Sequence, residues 1–203
     1  MWGNEELNDR GLRAAVFVLV LDITLGLTRD AAAINECPPE PLAMTVNIKT
    51  ADRRVLKFDT LDDIVRDVEA IASGPHRVTG NWTAAQNIWH VAHTVAMSNR
   101  GFDFKVPLVM KLLGRMLKGL GMHTKPIKPG FNPPGKVAAA FAPPPDVSLE
   151  MAVAKLRDEV AYAKAHGMHH PSPLFGKLTQ EQWTQLHCRH AELHHSFIHP
   201  NPT

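Results

Sequence analysis

Trp183-Thr-Gln-Leu-His187-Cys-Arg-His190-Ala-Glu-Leu-His194-His195-Ser-Phe197 is the stretch that decides the fold. Trp183, His187, His190, His194 and Phe197 step by four, three, four and three residues, which is the spacing of one α-helical face. A face carrying Trp, Phe and three imidazoles belongs against a core, because imidazoles sunk there need partners. Thr179 with Gln182 three residues on is a capping box for this last helix, and His199-Pro200 predicts its end.

Working outward, Ser148 opens a further helix with Leu149, Val153, Leu156, Val160 and Ala163 on its stripe and Gly167 as its stop. Another begins near Asn81-Trp82-Thr83, puts Gln86, His90, His93 and Met97 on one face and ends at Gly101. Thr60 caps a first helix striped by Leu61, Ile64, Val65, Val68 and Ile71. Val46–Phe58 reads as an extended arm. Between residues 102 and 147 a short amphipathic helix over Val106–Met122 precedes a run of prolines that predicts an irregular crossing loop. Its apolar stripe is expected to cover the bundle or lid a pocket, with a membrane surface as the other reading. The result is an all-α domain, a four-helix bundle with a long Pro-rich connection between helices 2 and 3.

Residues 1–43 differ from the rest and are expected to be a leader and linker, with the bundle domain at 44–203. Ala14–Leu27 is apolar apart from Asp22 and Thr24, follows Arg10 and Arg13, and precedes Ala31-Ala32-Ala33, which is signal-like. The acidic start Glu5-Glu6-Leu7-Asn8-Asp9 argues instead for a start called too early, with Met44 as the true one. A cytoplasmic location is expected, with export as the alternative if residues 10–33 act as a signal.

Composition narrows the function classes. Of 203 residues, 22 are Lys or Arg and 20 are Asp or Glu, a net charge of +2, so no nucleic-acid partner is predicted. Two cysteines, Cys37 and Cys188, exclude a disulfide scaffold and a four-cysteine zinc site. No uninterrupted apolar run reaches transmembrane length. The outlier is 12 histidines, five of them between residues 187 and 199.

His190 and His194, four apart on the inward face, can grip one divalent ion. Glu192 points off that face, so this is not the zincin arrangement. A facing helix can supply a third imidazole, and His90 is the candidate, with His93 one turn away. His187 and His195 are alternative ligands, and Gln86 is a candidate hydrogen-bond partner to a ligand. His170, in the proline-flanked loop, is a candidate acid/base group. Cys188 points away from the histidine pair and is expected to be an inert thiol.

Arg53-Arg54-Val55-Leu56-Lys57-Phe58, Gly80-Asn81-Trp82-Thr83-Ala84-Ala85-Gln86-Asn87-Ile88-Trp89-His90 and Phe175-Gly176-Lys177-Leu178-Thr179, with the terminal His-rich helix, resemble an uncharacterised family of the DinB-like superfamily of metalloenzymes. The resemblance implies a four-helix bundle holding zinc or nickel through His90, His190 and His194. It also implies a homodimer and a small-molecule substrate, with a low-molecular-weight thiol as co-substrate. Leu193 and His195 depart from the superfamily pattern. The expected function is a metal-dependent transferase or hydrolase in which a thiol or water attacks a small electrophile. The alternative is a non-catalytic, metal-stabilised bundle with a structural, sensing or storage role.

Overall fold

The structure, a computed structural model, describes residues 45–121, 124–130 and 135–201. The predicted leader at 1–43 lies outside them. In order, the elements are α1 (Leu61–Ala72), β1 (His76–Val78), α2 (Ala84–Arg100), α3 (Leu108–Gly119), α4 (Gly135–Phe141), α5 (Leu149–His166), α6 (Gln180–His195) and β2 (Ile198–Pro200). The described residues are mostly helical, as the apolar periodicity predicts.

Local chemistry sets the helix boundaries. Thr60, Thr83 and Thr179 each accept a hydrogen bond from the backbone N–H three residues on, and the side-chain oxygens of Asp63, Gln86 and Gln182 accept from the backbone N–H of those threonines to complete a capping box. Ser148 caps α5 through its hydroxyl. Gly101 and Gly167 end α2 and α5.

Helices α1, α2, α5 and α6 share one buried core, with α2 against α5 as the most extensive pairing and α6 against α2. Ile64, Val68 and Ile71 from α1, Ile88, Val91 and Val95 from α2, and Leu156 from α5 lie at its centre. Each such side chain contributes about 1.5–3 kcal/mol on full burial.

Two corrections to the sequence expectation concern the ends of the crossing and of α6. The proline-rich stretch is not wholly irregular: Gly135–Phe141, a proline-free interval, forms α4. Helix α6 stops at His195, before His199-Pro200, and the chain continues as β2. Strand β2 pairs antiparallel with β1, with Arg77 opposite His199, and the Thr79 amide donates to the Phe197 carbonyl at 2.9 Å. A two-stranded ribbon this short leaves no period-two signal to read. It clamps the end of α6 beside the start of α2, where a Cβ on Gly80 would lie 3.2 Å from the Phe197 ring.

The arm before α1 completes the clamp. Asn81 bonds both the N–H and the C=O of Val46, at 2.8 and 3.1 Å. Arg54 forms a two-pronged pair with Asp67 on α1 and also donates to the His195 carbonyl. Glu192 accepts from the Phe58 amide at 2.6 Å and pairs with Arg189, which confirms its position off the inward face.

Helix α3 stands apart from the core. Its Gly114 backbone lies directly on the Leu174 carbonyl, leaving no room for a Cβ. Of the apolar stripe, Leu108, Val109, Leu112, Met116 and Leu120 are exposed and do not cover the bundle, Leu113 and Leu117 are half-buried, and the helix borders an open groove through Lys111 and Arg115. The contact is made instead by the Gly114 side of the helix.

Candidate metal centre

Helices α2 and α6 face each other, and their histidines meet. The ring centroids of His90, His190 and His194 lie 5.0 Å (His90–His190), 4.4 Å (His90–His194) and 4.6 Å (His190–His194) apart. One ring nitrogen from each falls within 4.8 Å of the other two, a group that could hold a metal ion.

The hydrogen bonds around the group determine which nitrogens are free. The Nδ1 of His90 is 2.7 Å from the Phe141 carbonyl, which can only accept, so Nδ1 carries the proton and Nε2 the lone pair. The Thr94 hydroxyl donates to the Val91 carbonyl at 2.8 Å, so its oxygen must accept from His190 Nδ1 at 3.2 Å. The Asn87 amide nitrogen donates to the Trp82 and Thr83 carbonyls, which turns its oxygen to His194 Nδ1 at 3.3 Å. Each ring therefore holds its proton on Nδ1 and presents Nε2 as a lone pair. The Nε2 atoms of His90 and His190 are 3.2 Å apart. Two ligands of a tetrahedral ion at the usual nitrogen distance are separated by about 3.3 Å.

Burial acts in the same direction. Desolvation pushes the pKa of His90 down to about 4 and those of His190 and His194 well below the ordinary value, so all three are neutral near pH 7. The indole of Trp82 stacks on His194 at 5.5 Å and tilts over His90 at 5.0 Å, walling the group from one side.

The other sequence candidates are engaged elsewhere. Gln86 closes the α2 capping box and faces the Pro145 carbonyl, not the histidine group. His93 turns toward α4, with Nε2 3.1 Å from the Ala140 carbonyl and its ring stacked on Trp89. His187 is buried one turn below His190, donates to the Ser98 hydroxyl at 2.9 Å and stacks on Trp183. His195 faces α1, with Nδ1 3.1 Å from Asp67. His170 abuts Gly101 at the far end of α2, roughly 16 Å from His90 by helical rise. There it lines an open groove of about 570 Å³ with residues of both the 102–106 and the 170–174 loops. Cys188 is buried, and desolvation raises its thiol to about 12, so it is inert as a nucleophile.

Asn87, Thr94, Trp82 and the Phe141 carbonyl are missing from the sequence expectation. Asn87, His90 and Thr94 do step by three and four, so the helical period could have found the first two. A search restricted to metal-ligating residue types passes over them. Nothing in the sequence marks the Phe141 carbonyl, which arrives from α4.

Residues 50–201 match the family model described as Protein of unknown function (DUF1569). Neither the curated proteins nor the solved structures contain a significant match. With three-quarters of its length covered by that model, the chain belongs to the DUF1569 family.

Proposed function

We propose that this DUF1569 protein is a DinB-like metalloenzyme that uses a divalent ion, zinc or nickel, held by His90, His190 and His194. The single observation that carries the reading is the convergence of one ring nitrogen from each of the three histidines, with each Nδ1 engaged by its own hydrogen-bond partner and the Nε2 atoms of His90 and His190 facing each other. Lone pairs that converge in this way repel unless a cation lies among them. The four core helices, with the Pro-rich connection between α2 and α5, suit the DinB-like bundle that the sequence resembles.

An enzyme is favoured over a metal-stapled bundle by the donor count. A closed structural site uses four protein ligands. His93, His187 and His195, the histidines able to provide a fourth, are committed to Ala140, Ser98 and Asp67. When bound, a divalent ion at such a site supplies Lewis acidity and lowers the pKa of a thiol or water. The protein's part is to hold the imidazoles neutral, to fix their rings through Phe141, Thr94 and Asn87, and to shield one side with Trp82. The proposed chemistry is attack by a thiol or water on a small electrophile, with a low-molecular-weight thiol as the first co-substrate to test.

Elemental analysis of the purified protein beside His190→Ala tests the metal. About one equivalent in the wild type and less than about a tenth of that in the variant is expected. Equal content in the two would overturn the assignment. Thiol consumption by an electrophile, dependent on the restored ion and absent in His190→Ala, tests the activity.

A further inference from the structure

Charge along this chain is not evenly spread. Asp103 and Asp146 bracket a stretch with no acidic residue, which carries Lys105, Lys111, Arg115, Lys118, Lys125, Lys128 and Lys136. The whole chain is only +2, so the remainder is net negative and the basic charge is concentrated on one segment. That segment also holds the exposed apolar surface of α3.

Leu108, Leu112, Met116 and Leu120 step by four residues and form one ridge, with Val109 beside it. Exposure runs from 50% at Met116 to 71% at Val109. Lys111 and Arg115 form the neighbouring four-step row, on one side of the ridge, where they also line the groove that α3 makes with the 170–176 loop. The opposite side of the helix is fixed to the domain through Gly114 on the Leu174 carbonyl, so the ridge is held outward. Soluble chains seldom present a contiguous apolar ridge of this kind without a use for it.

We propose that α3 is a membrane-surface helix that docks the protein on an anionic bilayer. The ridge enters the boundary between headgroups and acyl chains, and Lys105, Lys111 and Arg115 lie at the level of the anionic headgroups. A bilayer suits this surface better than a second copy of the chain does. Two-fold packing of α3 on α3 brings two copies of the Lys111 and Arg115 row to one interface, whereas a bilayer rich in acidic lipid neutralises that row. No described helix is long and apolar enough to cross a membrane, so the docking is peripheral.

The test is co-sedimentation of the full chain with vesicles of phosphatidylglycerol and phosphatidylcholine in equal parts, beside phosphatidylcholine alone. Binding to the anionic vesicles that is at least about tenfold tighter, and that weakens with salt, is expected. Leu112→Glu with Met116→Glu, and separately Lys111→Gln with Arg115→Gln, should each lower it about tenfold or more. Leu112 and Met116 are exposed and Lys111 and Arg115 lie at the edge of the groove that α3 makes with the 170–176 loop, and circular dichroism checks that the variants stay helical. Absence of wild-type binding, equal binding to both vesicle types, or binding unchanged in both variants overturns the proposal. Self-association that the Glu variant abolishes, without vesicle binding, assigns the ridge to a second copy and overturns it equally.

Discussion

His90 and His190 point their Nε2 atoms at each other across 3.2 Å, and each has its only proton engaged on the far side of its ring. An ordinary histidine–histidine hydrogen bond is therefore absent from this pair, although the distance alone resembles one.

The Thr94 hydroxyl holds the His190 tautomer, so its removal should weaken the site without removing a ligand. Thr94→Val is expected to lower divalent-ion affinity about 10–100-fold with little change in helicity. Thr94→Ser should restore most of it. Competition with a chromophoric chelator measures both.

Asn87→Leu is expected to act in the same way through His194. Replacing the amide removes the acceptor for Nδ1 and frees the ring to turn. An Asn87→Leu and Thr94→Val double variant should lose nearly as much affinity as His190→Ala, since two of three rings are then unrestrained. The elemental content after dialysis checks this.

His187 should give the metal-free protein a pH dependence of its own. Burial pushes its pKa from 6.5 to about 4. The unfolded chain takes up a proton below 6.5, while the folded chain does so only near 4. Stability from this group is thus complete above 6.5 and falls as the pH drops toward 4, by on the order of 2–3 kcal/mol. His187→Gln keeps a donor to Ser98 and should flatten the fall in urea midpoint between about pH 7.5 and about pH 5.

Asp67 ties three elements together. Burial alone would raise its carboxyl, but hydrogen bonds from His195 and Arg54 outweigh burial and hold it below the ordinary value. Asp67→Ala leaves the Arg54 guanidinium half-buried without its anion and should cost roughly 3 kcal/mol, read by denaturant unfolding.

Gly114→Ala should release α3 while leaving the core helices folded. The added methyl group collides with the Leu174 carbonyl, an overpacking worth about 1–3 kcal/mol. Faster proteolytic cleavage between residues 102 and 147, at unchanged helicity, is the expected result.

Much of this architecture was legible in the amino-acid order. Helix starts at Thr60, Thr83, Ser148 and Thr179, the inward stripe from Trp183 to Phe197 and the pairing of His190 with His194 all rest on local rules: side-chain capping and the 3.6-residue period. Helix α4 escaped because prolines on either side obscure seven residues that can form a turn or two. The β1–β2 ribbon escaped because three-residue strands from opposite ends of the domain have no local signature.

The sequence by itself determined which residues lie on which helical face, since periodicity and capping act over one or two turns. Only the tertiary structure decided that His90 rather than His93 meets the α6 pair, and that Asn87, Thr94 and the Phe141 carbonyl set the ring protons. It also decided that the ridge of α3 is left facing outward. The physical reason is range: a face is chosen by neighbours three or four residues away, whereas the partner of that face is chosen by the packing of segments about a hundred residues apart.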